Sequence, residues 1–213
     1  MALCTCSTGG WDWGPYSNTY QDEDHTFSFG IWKNVYLLPV APGGAVITDV
    51  VPEIFYNAPH PVAPLQDGSH QGFTVRTRVY LWSPGGLSAK LRVSGGWGAE
   101  ASAQISSPAG ASVASVNVSA SAAQVKLWWP SGKGAQPLYN LSAVLDQAEG
   151  EIRASRSVGF RVMSLVTTND TDAAEREKDA AADGSGSFGV LWRINGEAIW
   201  SKVRSDSFSS AWS

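Results

Sequence analysis

Charge is scarce in this 213-residue chain: Asp, Glu, Lys and Arg make up 16% of it and the formal net charge is −4. There is no cationic excess to neutralise a phosphate backbone, so a basic nucleic-acid binder is excluded. With 43% hydrophobic residues the low charge also excludes a generic disordered chain. Cysteine is nearly absent. Cys4 and Cys6 stand two positions apart, where a bridge would be strained, so a free thiol pair is expected and no disulfide framework can form. The three histidines, His25, His60 and His70, have no metal-ligand spacing, and no metal or cofactor is expected. No apolar run approaches the ~20 residues that span a bilayer, and no membrane partner is expected. The first residues lack a basic n-region and an adequate apolar stretch, so no signal peptide is visible and the compartment is left open. Twenty-two glycines and eleven prolines interrupt the chain too often for long helices.

What remains is period-two alternation. In Gly72 to Trp82, residues Phe73, Val75, Thr77, Val79 and Leu81 fall on one face, and Thr74, Arg76, Arg78 and Tyr80 on the other. Ala45 to Tyr56 is β-branched and aromatic, with Pro52 marking an edge or a bulge. Further strands are expected at Leu87–Val93, Ala99–Ile105, Ser112–Val118, Gln124–Trp128, Tyr139–Leu145 and Ile152–Val162, separated by Gly and Pro turns. About eight short strands at this spacing predict an immunoglobulin-like antiparallel β-sandwich, an all-β fold. The sequence from Asn169 to Asp183 carries six of the nineteen acids and reads as a solvated linker or short surface helix. Phe188 to Ile194 then reads as a strand. Asn195-Gly196 is a strong two-residue hairpin signal, with Glu197–Trp200 returning. This last unit is expected to be too short to bury anything.

Three motifs bear on chemistry. Gly184-x-Gly186-x-x-Gly189 has the dinucleotide-binding spacing but precedes a strand, so it reads as a hinge. Three sequons occur, at Asn117, Asn140 and Asn169, and several arise by chance in a Ser-rich chain. Trp11-Asp12-Trp13-Gly14-Pro15 places two indoles around a carboxylate. Indole faces stack on the apolar faces of sugar rings, and a carboxylate accepts hydrogen bonds from adjacent hydroxyls. A packing corner is the competing reading of the same residues. A second cluster runs from Trp128-Trp129-Pro130 through Gln136-Pro137-Leu138-Tyr139, and there a structural role at a domain corner is expected.

Taken in order, Trp11-Asp12-Trp13-Gly14-Pro15, Gly30-Ile31-Trp32-Lys33, Trp128-Trp129-Pro130, Val158-Gly159-Phe160-Arg161 and Ile194-Asn195-Gly196 resemble family 2 glycoside hydrolases, most of all their β-mannosidase branch. The resemblance implies the closing strands of a jelly-roll (galactose-binding-like) domain over 1–40, an immunoglobulin-like β-sandwich over 41–166, an acidic and Gly/Ser linker over 167–187, and over 188–213 the first hairpin before a (β/α)8 barrel. That barrel takes ~250 residues and is not expected in this chain. The implied chemistry is retaining hydrolysis of terminal non-reducing β-D-mannose by two glutamates. Both belong to the barrel, so no catalytic residue is expected here, and Glu197 reads as a hairpin residue. Carried over by motif, Trp11 packs against the sugar, Asp12 hydrogen-bonds its hydroxyls and Trp13 packs behind them. The implied partner is a β-mannoside or a mannose-containing oligosaccharide. Two departures stand out: fourteen residues, Tyr16 to Phe29, separate Gly-Pro from Gly-Ile-Trp, and the Asn-Trp element expected before Asp206-Ser207-Phe208 is missing. A non-catalytic carbohydrate-binding sandwich and another family 2 specificity, such as exo-glucosaminidase, are the competing expectations.

Overall fold

The computed structural model describes residues 35–148, 150–172 and 190–199. Residues 1–39 and 40–213 form separate units, and the description below concerns the second. Among the described residues every strand ladder is antiparallel.

One sheet holds β1 (Val46–Tyr56), β2 (Phe73–Ser83) and β5 (Gly110–Ala120) in the order β1-β2-β5. The second holds β3 (Leu87–Gly95), β4 (Ala99–Ser107), β6 (Tyr139–Gln147) and β7 (Gly150–Val158) in the order β4-β3-β6-β7. The chain crosses between the sheets after β2, β4 and β5, which gives the Greek-key connection of an immunoglobulin-like sandwich. The alternation expected from sequence sets this arrangement. Phe73, Val75, Thr77, Val79 and Leu81 are all buried on the inner face of β2. Opposite them lie Leu91 and Val93 of β3 and Leu141, Ala143 and Leu145 of β6. Each fully buried Val, Leu or Phe contributes about 1.5–3 kcal/mol, so this double layer is the main stabilising element. Among the described residues three buried side-chain atoms lack a partner, Thr77 Oγ1, Arg78 Nε and Ser107 Oγ, and of these Thr77 lies in the fully buried inner row of β2.

One end of the sandwich is closed by aromatic rings. Phe160 packs 5.3 Å from Phe73, 5.0 Å from Trp97 and 5.5 Å from Tyr139, centroid to centroid. Trp97 donates its indole N–H to the Ser119 carbonyl at 2.8 Å, which ties β5 to the turn after β3. Trp97 folds over Gly95, where a Cβ would lie 2.4 Å from the indole, so glycine is required by space at that position.

Two strand expectations need correction. Gln124–Trp128 is not a strand. Val125 and Leu127 are buried, as the alternation implied, but side chains hold their backbone. Asp67 accepts the Leu127 N–H and the Tyr139 hydroxyl accepts the Lys126 N–H, both at 2.8 Å. A turn at Ser121–Gln124 precedes them, and only an isolated bridge from Leu127 to Phe160 resembles pairing. The expected strand Ile152–Val162 stops at Val158, because Gly159 passes under Trp128 and Leu138 at a spacing that leaves no room for a side chain without movement.

The last described elements are β8 (Met163–Val166), β9 (Leu191–Ile194) and β10 (Glu197–Ile199), in the order β10-β9-β8. The hairpin β9–β10 forms at Asn195-Gly196 as expected. It does bury residues, contrary to the expectation that it was too short. Ile194 and Asn195 are buried, because β9 pairs along β8 and the turn is inserted against residues 61–65. The expected jelly-roll strands over 1–40 fall almost entirely outside the described residues, as does the rest of the segment after Ile199.

Candidate functional site

Trp11 and Asp12, the sugar-contact residues expected from sequence, lie outside the described residues, as do Cys4, Cys6 and the Gly184–Gly189 motif. The described chemistry converges elsewhere, at the joint between the sandwich and the β9–β10 hairpin.

Asn195 is the centre of that joint. It is completely buried, with φ of +50°, and Gly196 follows at +85°, the two left-handed residues of a type I′ turn. All its polar groups are used. Its backbone N–H donates to the Val162 carbonyl at 2.8 Å, and its carbonyl accepts the Leu65 N–H at 2.8 Å. The side-chain Oδ1 accepts the Val162 N–H at 2.9 Å, and Nδ2 donates to the Trp128 carbonyl at 3.0 Å. One asparagine thus satisfies backbone groups from three separate segments of the unit. Gly196 is required both by its φ and by space, since a Cβ would lie 1.9 Å from the Ala63 carbonyl oxygen.

Arg193, two residues before, forms a bidentate pair with Asp170. Nε lies 2.6 Å from Oδ2 and Nη2 2.8 Å from Oδ1, while Nη1 donates to the Gly196 carbonyl at 3.1 Å. Both side chains are about nine-tenths buried. The hydrogen bond from Arg193 holds the Asp170 carboxyl below its ordinary value against the opposing effect of burial, and the same bond raises the Arg193 guanidinium. His60 stands 3.7 Å from the same carboxylate. The solvated-linker reading therefore fails at Asp170, the first acid of that run. The signal that finds it is the lone Arg193 between Trp192 and Ile194, a charge in an apolar strand that needs a buried partner.

Trp128 connects this joint to a surface groove of about 440 Å³ lined by Pro52, Ile54, Trp128, Leu138, Gly159 and Arg161. The Arg161 guanidinium sits 4.5 Å above the Trp128 ring, within cation–π range. Trp129 packs at the margin of the sandwich core, with Gly134 against its ring. Glu197 accepts a hydrogen bond from Lys133 at 2.6 Å across the same joint. These contacts hold the hairpin, the Trp128 segment and the sandwich in register. Among the described residues no three His, Cys, Asp or Glu side chains form a metal cluster.

Residues 62–161, from the loop before β2 through Arg161, match the model of the family described as Glycosyl hydrolases family 2. Over 81 residues the chain is 37% identical to Beta-mannosidase A of Neosartorya fischeri. The chain is similar to β-mannosidases, and its residues 62–161 resemble glycosyl hydrolases family 2. A longer match, 162 residues at 27% identity, joins it to Beta-mannosidase B of Aspergillus oryzae and covers 76% of this chain. The matches span 36% of this chain and 8% of Beta-mannosidase A, and 16% of Beta-mannosidase B. In fold, the crystal structure of a β-D-mannosidase from Dictyoglomus thermophilum superposes with a TM-score of 0.50 at 18% identity, over 74% of this chain and 17% of that one. The family 2 match holds β2–β7, Phe160 and the groove residues Trp128, Leu138, Gly159 and Arg161, whereas β1 with Pro52 and Ile54 precedes it. Asp170, Arg193 and Asn195 lie beyond it.

Proposed function

We propose that this chain supplies the non-catalytic sandwich and the first hairpin of a β-mannosidase-type glycoside hydrolase, whose reaction is retaining hydrolysis of terminal non-reducing β-D-mannose. The observation that carries the reading is the 37% identity to a β-mannosidase across 81 residues. The joint gives that likeness a mechanical meaning. In this reading residues 41–166 are the scaffold, and Asn195 with the Arg193–Asp170 pair fixes the hairpin on it. The hairpin then leads toward a catalytic barrel in a set direction.

The chemistry itself needs two carboxyl groups about 5 Å apart, one as acid and base and one as nucleophile. In this reading both come from the barrel, and residues 188–213 are its approach. Trp11 and Asp12, within a jelly-roll segment over 1–40, reach the terminal sugar. The indole covers its apolar face and the carboxylate binds adjacent hydroxyls. The substrate is a β-mannoside or a mannose-containing oligosaccharide, and the 213-residue chain is inactive alone.

The test is incubation of the purified chain with a chromogenic β-mannoside. Release indistinguishable from buffer is expected. Turnover well above buffer would show that the chain holds its own catalytic pair and would overturn this division of labour. Millimolar mannose binding by the isolated chain, read by calorimetry and without hydrolysis, would favour a free-standing carbohydrate-binding sandwich instead.

A further inference from the structure

Among the described residues, the two unpaired edges of the sandwich are protected very differently. On one side lie β1 and β7. β1 carries Pro52, Asp49, Glu53 and a register shift between Ile47 and Asp49, and β7 carries Glu151, Arg153 and Arg156. Charge, proline and bulges are the devices that keep a strand edge from pairing with another chain. On the other side lie β4 and β5. β5 is the end strand of its sheet, eleven residues long, and Gly110–Ala120 contains no charge and no proline. β4, the end strand of the other sheet, has one charge, Glu100. Long, uncharged edges rich in Val, Ala and Ser are the kind that natural sandwiches cover or block.

The largest polar side chain on β5 is Asn117, and it heads the sequon Asn117-Val118-Ser119. Asn117 and Ser119 are both exposed on the outer face, while Val116 and Val118 between them are buried. Across the ladder Asn117 faces Arg76, whose guanidinium is already bound to Glu53. The outward neighbours on β5 are Ser115 and Ser119, so nothing bulky on the strand crowds the amide. The sequon at Asn169 differs: its Oδ1 already accepts hydrogen bonds from the N–H and hydroxyl of Thr171 and from the N–H of Asp172, and its middle residue is the buried Asp170.

We propose that Asn117 is an N-glycosylation site and that its glycan guards the bare β5 edge. The step joins Asn117 Nδ2 to the anomeric carbon of an oligosaccharide on a lipid-linked pyrophosphate donor. The C–O bond to the pyrophosphate breaks, the lipid pyrophosphate leaves, and the amide gives up one proton. A flexible, hydrated glycan on this strand sterically blocks the approach of a second edge without placing a charge in the sandwich.

The experiment is secretion of the full chain from a eukaryotic host, followed by peptide-N-glycosidase treatment and mass spectrometry of the peptide containing Asn117. A glycan that the enzyme removes, converting Asn117 to Asp, is expected. Asn117→Gln and Ser119→Ala should each abolish it, and Ser119→Thr should retain it. The two knock-out variants should also sediment as larger species with rising concentration, where the glycosylated chain stays a monomer. A secreted, folded chain whose Asn117 peptide is unmodified would overturn the site. Glycosylation at Asn117 with unchanged sedimentation in both knock-outs would overturn the guarding role.

Discussion

Replacing Asn195 by Ala should loosen the β8–β10 sheet from the sandwich. The substitution leaves two backbone groups without their partners, the Val162 N–H and the Trp128 carbonyl, at a position with no solvent exposure. An unsatisfied buried group costs about 1–3 kcal/mol. Alanine at a φ of +50° adds about 1 kcal/mol, since the left-handed region penalises a Cβ that has no local hydrogen bond. The expected loss is therefore about 3–7 kcal/mol. Asn195→Gly separates the two contributions. It relieves the backbone cost while still deleting both side-chain bonds, so it should fall about 1 kcal/mol short of the alanine variant. Asn195→Asp keeps an acceptor for Val162 but turns the Nδ2 donor into an oxygen facing the Trp128 carbonyl, so it should be at least as damaging at neutral pH. The assay is native-state amide exchange at Leu65, Val162 and Asn195, whose N–H groups all donate within the joint. At 1.4 kcal/mol per tenfold, exchange at Leu65 and Val162 should accelerate by roughly 100-fold or more in Asn195→Ala. Unchanged protection at both amides would refute the reasoning, because it would mean that Asn195 does not hold the segments together.

Two further predictions rest on single buried groups. Asp170 has its carboxyl lowered by Arg193 in the folded protein. Its contribution is thus fully present above the unfolded carboxylate value, about 3.9, and is lost as pH falls through the lower folded value. Asp170→Asn should cost about 3 kcal/mol at pH 7 and flatten the acid limb of a stability–pH curve measured by denaturant titration; an acid limb as steep as the parent's would contradict the pair's role. Thr77 is fully buried with an unpartnered hydroxyl, so the near-isosteric Thr77→Val should raise stability by about 1 kcal/mol in the same titration, and a loss would show that the hydroxyl has a partner.

The strands that alternate over a long run were readable from sequence, because burial on one sheet face imposes period two and β2 obeys it without exception from Phe73 to Leu81. Asn195-Gly196 was readable too, since a type I′ turn demands two left-handed residues. Gln124–Trp128 misled because alternation reports which side chains are buried, not what satisfies the backbone between them. The partners there, Asp67 and Tyr139, are 60 and 13 residues away from the N–H groups they accept. Asp170 was hidden by its neighbours, since the composition of an acidic run says nothing about the one member that meets a distant arginine. β8 was hidden for a similar reason: four residues are too few for a pattern, and its partner β9 lies well down the chain. The expected roles of Trp11 and Asp12 rest on motif resemblance, whereas the burial of Phe160 in the core and the Asn195 hydrogen bond to the Trp128 carbonyl are visible only in the packing.

The most direct test of the account joins this chain in frame to the barrel of a β-mannosidase such as Beta-mannosidase A and measures kcat/KM on a chromogenic β-mannoside, with the unjoined chain beside it. Turnover is expected only in the joined protein. Asp12→Ala should lower it by roughly tenfold or more, as expected for losing a charged hydrogen bond of about 1.5–3 kcal/mol. Hydrolysis by the unjoined chain, or a joined protein that turns over the β-mannoside equally well without Asp12, would contradict it.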